Sequence, residues 1–181
     1  MKTITLLFLK EKKACGDGIE WFNKNFGNEA DVDKVKECLI KEKQYDWLGW
    51  LYKKAELTGE YKGYDKNGHL CKHCFYKDGK VEGEYKWYYD NGQLCKHCFY
   101  KDGKVEGEYK GYYENGQLRE HGFYKDDKLE GEYKCYYENG QLCKHYFCKN
   151  DKLEGEYKGY DGDGQLKEHC FYKDGKITEV K

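Results

Sequence analysis

Gly107-Glu108-Tyr109-Lys110-Gly111-Tyr112-Tyr113-Glu114-Asn115-Gly116-Gln117-Leu118-Arg119-Glu120-His121-Gly122-Phe123-Tyr124-Lys125-Asp126-Asp127-Lys128-Leu129-Glu130 is the clearest copy of a unit written five times. The unit begins at Gly59, Gly83, Gly107, Gly131 and Gly155, a constant 24-residue step without insertions. A fixed period of this size marks stacked supersecondary units that bury their apolar side only against one another.

Each copy carries two turn signals. The first is Asn-Gly, at Asn67, Asn91, Asn115 and Asn139, and becomes Asp163-Gly164 in the last copy. The second is Asp78-Gly79, Asp102-Gly103, Asp126-Asp127, Asn150-Asp151 and Asp174-Gly175. Such pairs suit two-residue type I′ hairpin turns, whose central residues both need positive φ. The segments between them are rich in Tyr, Phe and Leu, and Pro is absent, so nothing forbids ladder pairing. The expected fold is mainly β: an elongated, single-layer antiparallel meander of five 24-residue β-hairpin repeats over 57–181. A terminal strand at Ile177–Lys181 closes it, and a small helical cap over 1–56 precedes it.

Two-residue turns fix a register in which Tyr113 faces Leu118, Lys110 faces His121 and Tyr109 faces Gly122. Across the second turn Tyr124 faces Leu129, and His121 faces Glu132. One face then holds Tyr109, Gly111, Tyr113, Leu118, Gly122, Tyr124 and Leu129, an apolar side whose glycines sit under tyrosine rings. The other holds Glu108, Lys110, Tyr112, Gln117, Arg119, His121 and Phe123. In the outer copies Asp65 and Asp161 replace the tyrosine of Tyr89, Tyr113 and Tyr137.

The chain has 181 residues, 37% of them charged, with 33 basic groups against 34 acidic ones. Mean hydropathy is −1.15, a disordered composition but for the 18% aromatic residues held in strict period. This balance and a lone arginine, Arg119, count against nucleic acid as the main partner. The apolar run Thr3–Leu9 is too short to span a bilayer and lacks a small-residue cleavage site, so a cytoplasmic protein is expected. In the first 56 residues, Asp17, Asp31 and Asp46 are positioned to cap three short amphipathic helices. Docked on the edge of the first repeat they would block edge pairing. Alternatively, this block contacts a partner.

Cys71-Lys72-His73-Cys74 and Cys95-Lys96-His97-Cys98 have zinc-motif spacing. On a strand, however, residues three apart point to opposite faces, and equivalent positions two strands apart are separated by roughly 9–10 Å. Zinc needs each sulfur at about 2.3 Å. The ten cysteines therefore read as apolar fillers and solvent-facing thiols, with no metal or cofactor. No cysteine lies directly opposite another in this register, so no disulfide is expected within the array. His73, His97, His121, His145 and His169 recur in every copy, each between a Lys and a Glu; Lys110 and Glu132 flank His121. Five equal copies on an open sheet make a polar ladder or a binding surface rather than a catalytic site. The candidate partner-binding residues are Tyr88, Tyr112 and Tyr136; His97, His121 and His145; Phe99 and Phe123; and Lys110, Glu132 and Trp87. No catalytic residue is assigned.

The pattern G-x-Y-x-G-Y-Y-x-N-G-x-L of Gly107–Leu118, with Y-x-D-G-K-x-x-G of Tyr100–Gly107, resembles the MORN (membrane occupation and recognition nexus) repeat in its bacterial variant, over about residues 57–181. The eukaryotic form has Trp where most copies here have Tyr or Gly; Trp87 alone is placed suggestively. The resemblance implies a groove-like, single-layer sheet used for binding, in a family with antitoxin-like bacterial proteins, scaffolds and proteins proposed to contact anionic lipid heads. Ala14–Phe22 and Tyr45–Leu51 are similar in style to phage and prophage repeat proteins. The implied function is non-enzymatic binding and inhibition of another protein, of toxin or host-defence-enzyme type, by a monomer or an edge-paired homodimer. The alternative is a scaffold on anionic membrane lipid, disfavoured because Glu accompanies Lys across the strands.

Overall fold

The computed structural model describes residues 3–181. The apolar run at the start splits in two. Strand β1 (Thr3–Thr5) pairs with β2 (Glu29–Asp31), and Thr5 then caps helix α1 (Leu6–Glu11), its Oγ1 accepting the Phe8 N–H at 3.0 Å. Helices α2 (Gly16–Phe26), α3 (Val32–Lys41) and α4 (Tyr45–Lys54) follow. Asp31 caps α3 as expected, accepting from Asp33 and Lys34, and Gly27 ends α2 with φ 72°. Asp17 and Asp46 are not caps: α2 starts after Cys15 and α4 after Gln44. Both acids instead lie in the first turn, where their charge faces the positive end of the helix.

The array is one antiparallel sheet with strands in chain order. They are β3 (Gly59–Tyr64), β4 (Leu70–Lys77), β5 (Lys80–Tyr88), β6 (Leu94–Lys101), β7 (Lys104–Tyr112) and β8 (Leu118–Lys125), then β9 (Lys128–Tyr136), β10 (Leu142–Lys149), β11 (Lys152–Tyr160), β12 (Leu166–Lys173) and β13 (Lys176–Val180). The cap core of Ile4, Phe22, Val35 and Leu51 continues through Tyr52 and Leu57 into Tyr61, Tyr76 and Cys98. Tyr52 Oη donates to the Glu60 carbonyl and Tyr61 Oη to that of Tyr45, which lock α4 onto β3.

The two turns of a repeat differ. The Asp-Gly type is I′ as expected: Asp126 and Asp127 have φ of 51° and 69°. At Asn-Gly only the glycine is left-handed, with φ 82° at Gly116. Gly116 N–H donates to the Tyr113 carbonyl and Tyr113 N–H to that of Gln117, while Asn115 Oδ1 accepts from Gln117 N–H. This is a type I turn closed by a glycine bulge, in place of the two-residue turn, because the Asn side chain satisfies the turn without entering the left-handed region.

The register shifts accordingly. Lys110↔His121 and Tyr109↔Gly122 hold, but beyond Gly111↔Glu120 the next pair is Tyr112↔Leu118. Leu118 is thus matched with Tyr112 rather than Tyr113. Arg119 and Glu120 together oppose Gly111, and adjacent side chains meet there: Arg119 Nη2 lies 2.7 Å from Glu120 Oε1. Across the second turn Tyr124↔Leu129 is followed by Gly122↔Tyr133, an offset of two residues opposite Phe123 taken up at Gly131 (φ 99°). Lys134, not Glu132, therefore stands across from His121.

Both turns bind neighbouring repeats. Each I′ tip donates to a carbonyl of the preceding repeat: Gly103 to Val81, Asp127 to Val105, Asp151 to Leu129 and Gly175 to Leu153. Gly79 donates to Leu57 in the same way. At the opposite ends of the strands, Tyr89, Tyr113 and Tyr137 each donate their hydroxyl to the next repeat, at the carbonyls of Tyr112, Tyr136 and Tyr160.

Candidate interaction surface

The two faces of the sheet differ in chemistry. On the histidine face, each copy builds the same cluster. His121 Nε2 lies 2.9 Å from Glu108 Oε1, and Lys110 Nζ lies 2.8 Å from the same oxygen. A carboxylate only accepts, so Nε2 carries the hydrogen. His97 meets Glu84 at 2.9 Å, His145 meets Glu132 at 2.8 Å, and His73 and His169 meet Glu60 and Glu156 likewise. His73, His97, His121 and His145 are each set between two lysines across the strands, Lys110 and Lys134 for His121. Its glutamate comes diagonally from the strand before it. Glu132, expected beside His121, serves His145.

The lysine bonds come first, and the histidine bonds add to them, in holding Glu84, Glu108, Glu132 and Glu156 below the ordinary carboxylate range; at Glu60 the histidine bond leads. Beside each cluster stands a phenylalanine. His97–Phe99, His121–Phe123 and His145–Phe147 have ring centroids 5.3, 5.3 and 5.5 Å apart. Phe75, Phe99, Phe123 and Phe147 are all about 40% exposed, at 43, 40, 40 and 39%. Tyr88, Tyr112 and Tyr136 pair with Leu94, Leu118 and Leu142 at the strand ends, a third row on this face that the sequence register had separated.

The tyrosine face is packed. Tyr61–Tyr76, Tyr85–Tyr100 and Tyr109–Tyr124 pair at 5.8, 5.2 and 5.3 Å, and Tyr133–Tyr146–Tyr157 stack in a run. Cys74, Cys98 and Cys170 are buried fillers there. Burial pushes the Cys74 thiol up to about 11 and the Tyr76 and Tyr100 hydroxyls up to about 12. Parity alone could have shown that one charged column, Lys72, Lys96, Glu120, Lys144 and Glu168, also belongs to this face. Glu120 takes the hydroxyls of Tyr109 and Tyr133 and the guanidinium of Arg119. Trp87 also stands here, opposite Lys72 and Lys96, so the structure separates it from the other ten candidate residues.

All ten cysteines are free thiols, and the bulges bring one pair of them side by side. In the fourth repeat Lys144 pairs with Cys135 and Leu142 with Tyr136, leaving Cys143 in the bulge beside Cys135. Among the described residues no group of three or more His, Cys, Asp and Glu side chains is placed to hold a metal ion, and no helix is long and apolar enough to cross a membrane.

Five consecutive segments, residues 57–78, 81–102, 105–126, 129–150 and 153–174, match the family model described as MORN repeat variant. Residues 1–56 match the one described as YdhT N-terminal domain. No curated protein matches the chain. Among solved structures, the crystal structure of a point mutant of S. aureus TarM in complex with Fondaparinux, alpha-GlcNAc-glycerol and UDP is 8% identical, covering 83% of this chain and 32% of that one, with a TM-score of 0.35. The crystal structure of TarM is 11% identical, covering 95% and 30%, with a TM-score of 0.34. The chain thus spans about a third of the length of these proteins.

Proposed function

The chain belongs to the MORN repeat variant family, and on that premise we propose that it is a non-enzymatic module that binds another protein through the histidine face and so occupies or inhibits it. The observation that carries this reading is the row Phe75, Phe99, Phe123 and Phe147. These rings are about 40% exposed on the sheet, each beside a histidine on a regular Lys–His–Glu lattice. Large apolar anchors in an ordered polar frame are the composition of protein interfaces. A target of toxin or host-defence-enzyme type in the cytoplasm accords with the antitoxin-like and phage-like resemblances. A lipid scaffold is the weaker reading, because each lysine of the row is held by a glutamate and the face offers an anionic membrane little net charge. Arg119, the lone arginine, is tied to Glu120 on the other face and is not free to read phosphate or guanine.

The test is affinity capture from lysate of the producing cell. It compares the tagged wild type with a variant carrying Ser at Phe75, Phe99, Phe123 and Phe147, with phosphatidylserine vesicles as a parallel bait. A stoichiometric protein captured by the wild type, lost from the variant and indifferent to vesicles supports the reading. A partner retained by the variant, or vesicle binding without a protein partner, overturns it.

A further inference from the structure

Across β4, β5 and β6 the tyrosine face sets Lys72, Trp87 and Lys96 side by side: Trp87 is the register partner of both lysines. The two lysines are therefore two strands apart, roughly 9–10 Å. Lys72 Nζ lies 5.4, 5.8 and 5.3 Å from the ring centres of Tyr61, Tyr76 and Tyr85. Lys96 Nζ lies 5.1 and 5.7 Å from those of Tyr85 and Tyr109. Neither lysine has a carboxylate partner among the described residues, whereas Lys62, Lys86, Lys110, Lys134 and Lys158 on the other face each hold a glutamate.

Burial pushes the Lys72 ammonium down, and the charges of Lys96 and Lys53 push it further. A cation kept partly desolvated on aromatic rings, with like charges as neighbours, gains most from an incoming anion. Trp87 is 43% exposed and stacks on Tyr85 at 6.5 Å. The other copies have Gly63, Gly111, Cys135 and Gly159 in its place, so one repeat alone offers a large ring between two cations. The site opens into a cleft of about 720 Å³ between α4 and the first repeats. Four lysines and two aspartates, Asp46 and Asp65, line it, and Asp65 is already engaged by His69.

We propose that Lys72, Trp87 and Lys96 bind an acidic segment of a partner polypeptide, in which two carboxylates flank an apolar side chain that lies on the Trp87 ring. Each ammonium group can meet its own carboxylate, and the surface between them is aromatic. The chain itself shows how a carboxylate is received in this column: Glu120 occupies it one repeat further on and gathers tyrosine hydroxyls. This site lies on the face opposite the phenylalanine row, so it stands or falls independently of the function proposed above.

The full chain is titrated calorimetrically with a capped Glu-Gly-Leu-Gly-Glu peptide. Parallel arms use Lys-Gly-Leu-Gly-Lys, inorganic phosphate and phosphatidylserine vesicles. The expected result is binding of the acidic peptide alone. It weakens about tenfold or more in Lys72→Gln/Lys96→Gln and in Trp87→Ala, and it is lost near about 0.5 M salt. Far-UV dichroism of both variants checks that the sheet is intact. No binding of the acidic peptide, equal binding by the lysine variant, or equal binding of the basic peptide overturns the proposal. So does lysine-dependent binding of phosphate or vesicles in place of the peptide.

Discussion

Cys143 shows what one extra residue in a strand does. Uninterrupted two-residue turns would set no thiol against another, but the bulge after the Asn139-Gly140 turn brings Cys143 against Cys135. Only the fourth repeat has cysteine at both positions: the others pair Cys71 with Gly63, Cys95 with Trp87, Arg119 with Gly111 and Lys167 with Gly159. Cross-strand neighbours are within the Cα span of a disulfide. Diamide, a two-electron oxidant that takes up both thiol hydrogens, is expected to close Cys135–Cys143 in the folded chain. The tryptic peptide 135–144, which contains both cysteines, should lose two hydrogens and resist alkylation; recovery of both thiols fully alkylated would refute the contact. Burial pushes the Cys135 thiol up to about 11, so the reaction should quicken with rising pH. The sequence places His121 opposite Lys110 correctly because the middle of each strand is unaffected by its ends. It misplaces Leu118 and Lys134 because each lies beyond a bulge, and Cys143 because it lies in one.

The elements were legible to the extent that their turns were. Two positive-φ residues in a row, as at Asp126-Asp127, leave the chain no choice but type I′. Asn-Gly allows two solutions, and the side chain of Asn115 selects the longer one by bonding to Gln117. Gly131 was equally hard to interpret: a glycine near tyrosines reads as a packing glycine, yet its φ of 99° marks the offset opposite Phe123. The hairpin tips supply a prediction at this scale. A Cβ on Gly79 would stand 2.7 Å from the Lys53 carbonyl oxygen and 2.9 Å from the Glu56 Cα, where the first hairpin seats on the end of α4. At Gly103, with similar φ, it would meet only the flexible Lys80 side chain, at 3.5 Å. Gly103→Ala should cost about 1 kcal/mol from backbone strain alone. Gly79→Ala should cost roughly 1–2 kcal/mol more, because backbone atoms must move. Equal midpoints of the two variants in urea would show that the tip does not bear on the cap.

At the scale of the molecule, the five glutamates of the histidine face titrate as a set. Their carboxyls are held below the ordinary range in the folded state, so their contribution is fully present above about pH 4.3, the unfolded value, and is lost as pH falls through the lower folded values. The wild type should therefore melt above Glu108→Gln at pH 6, and the gap between them should close below about pH 4. The effect is small, since these groups are exposed. A gap that persisted at low pH would assign the loss to packing instead. The boundary near residue 56 was legible as the point where the period begins, but the role of Leu57 and Thr58 was not. Gly79 donates to the Leu57 carbonyl and Asp78 to Thr58 Oγ1, just as Gly103 donates to Val81 and Asp102 to Glu82. The cap thus imitates the edge of a preceding hairpin, and this gives the molecule a direction. It acts as the primer of a linear polymer: every added unit lands on a template already built and exposes the same template for the next. Amide exchange should accordingly advance inward from β13, the tail of the polymer, and reach the primer last. Duplication of a 24-residue block within the array lengthens it without redesign of either end, so the number of repeats can vary while the cap stays the same.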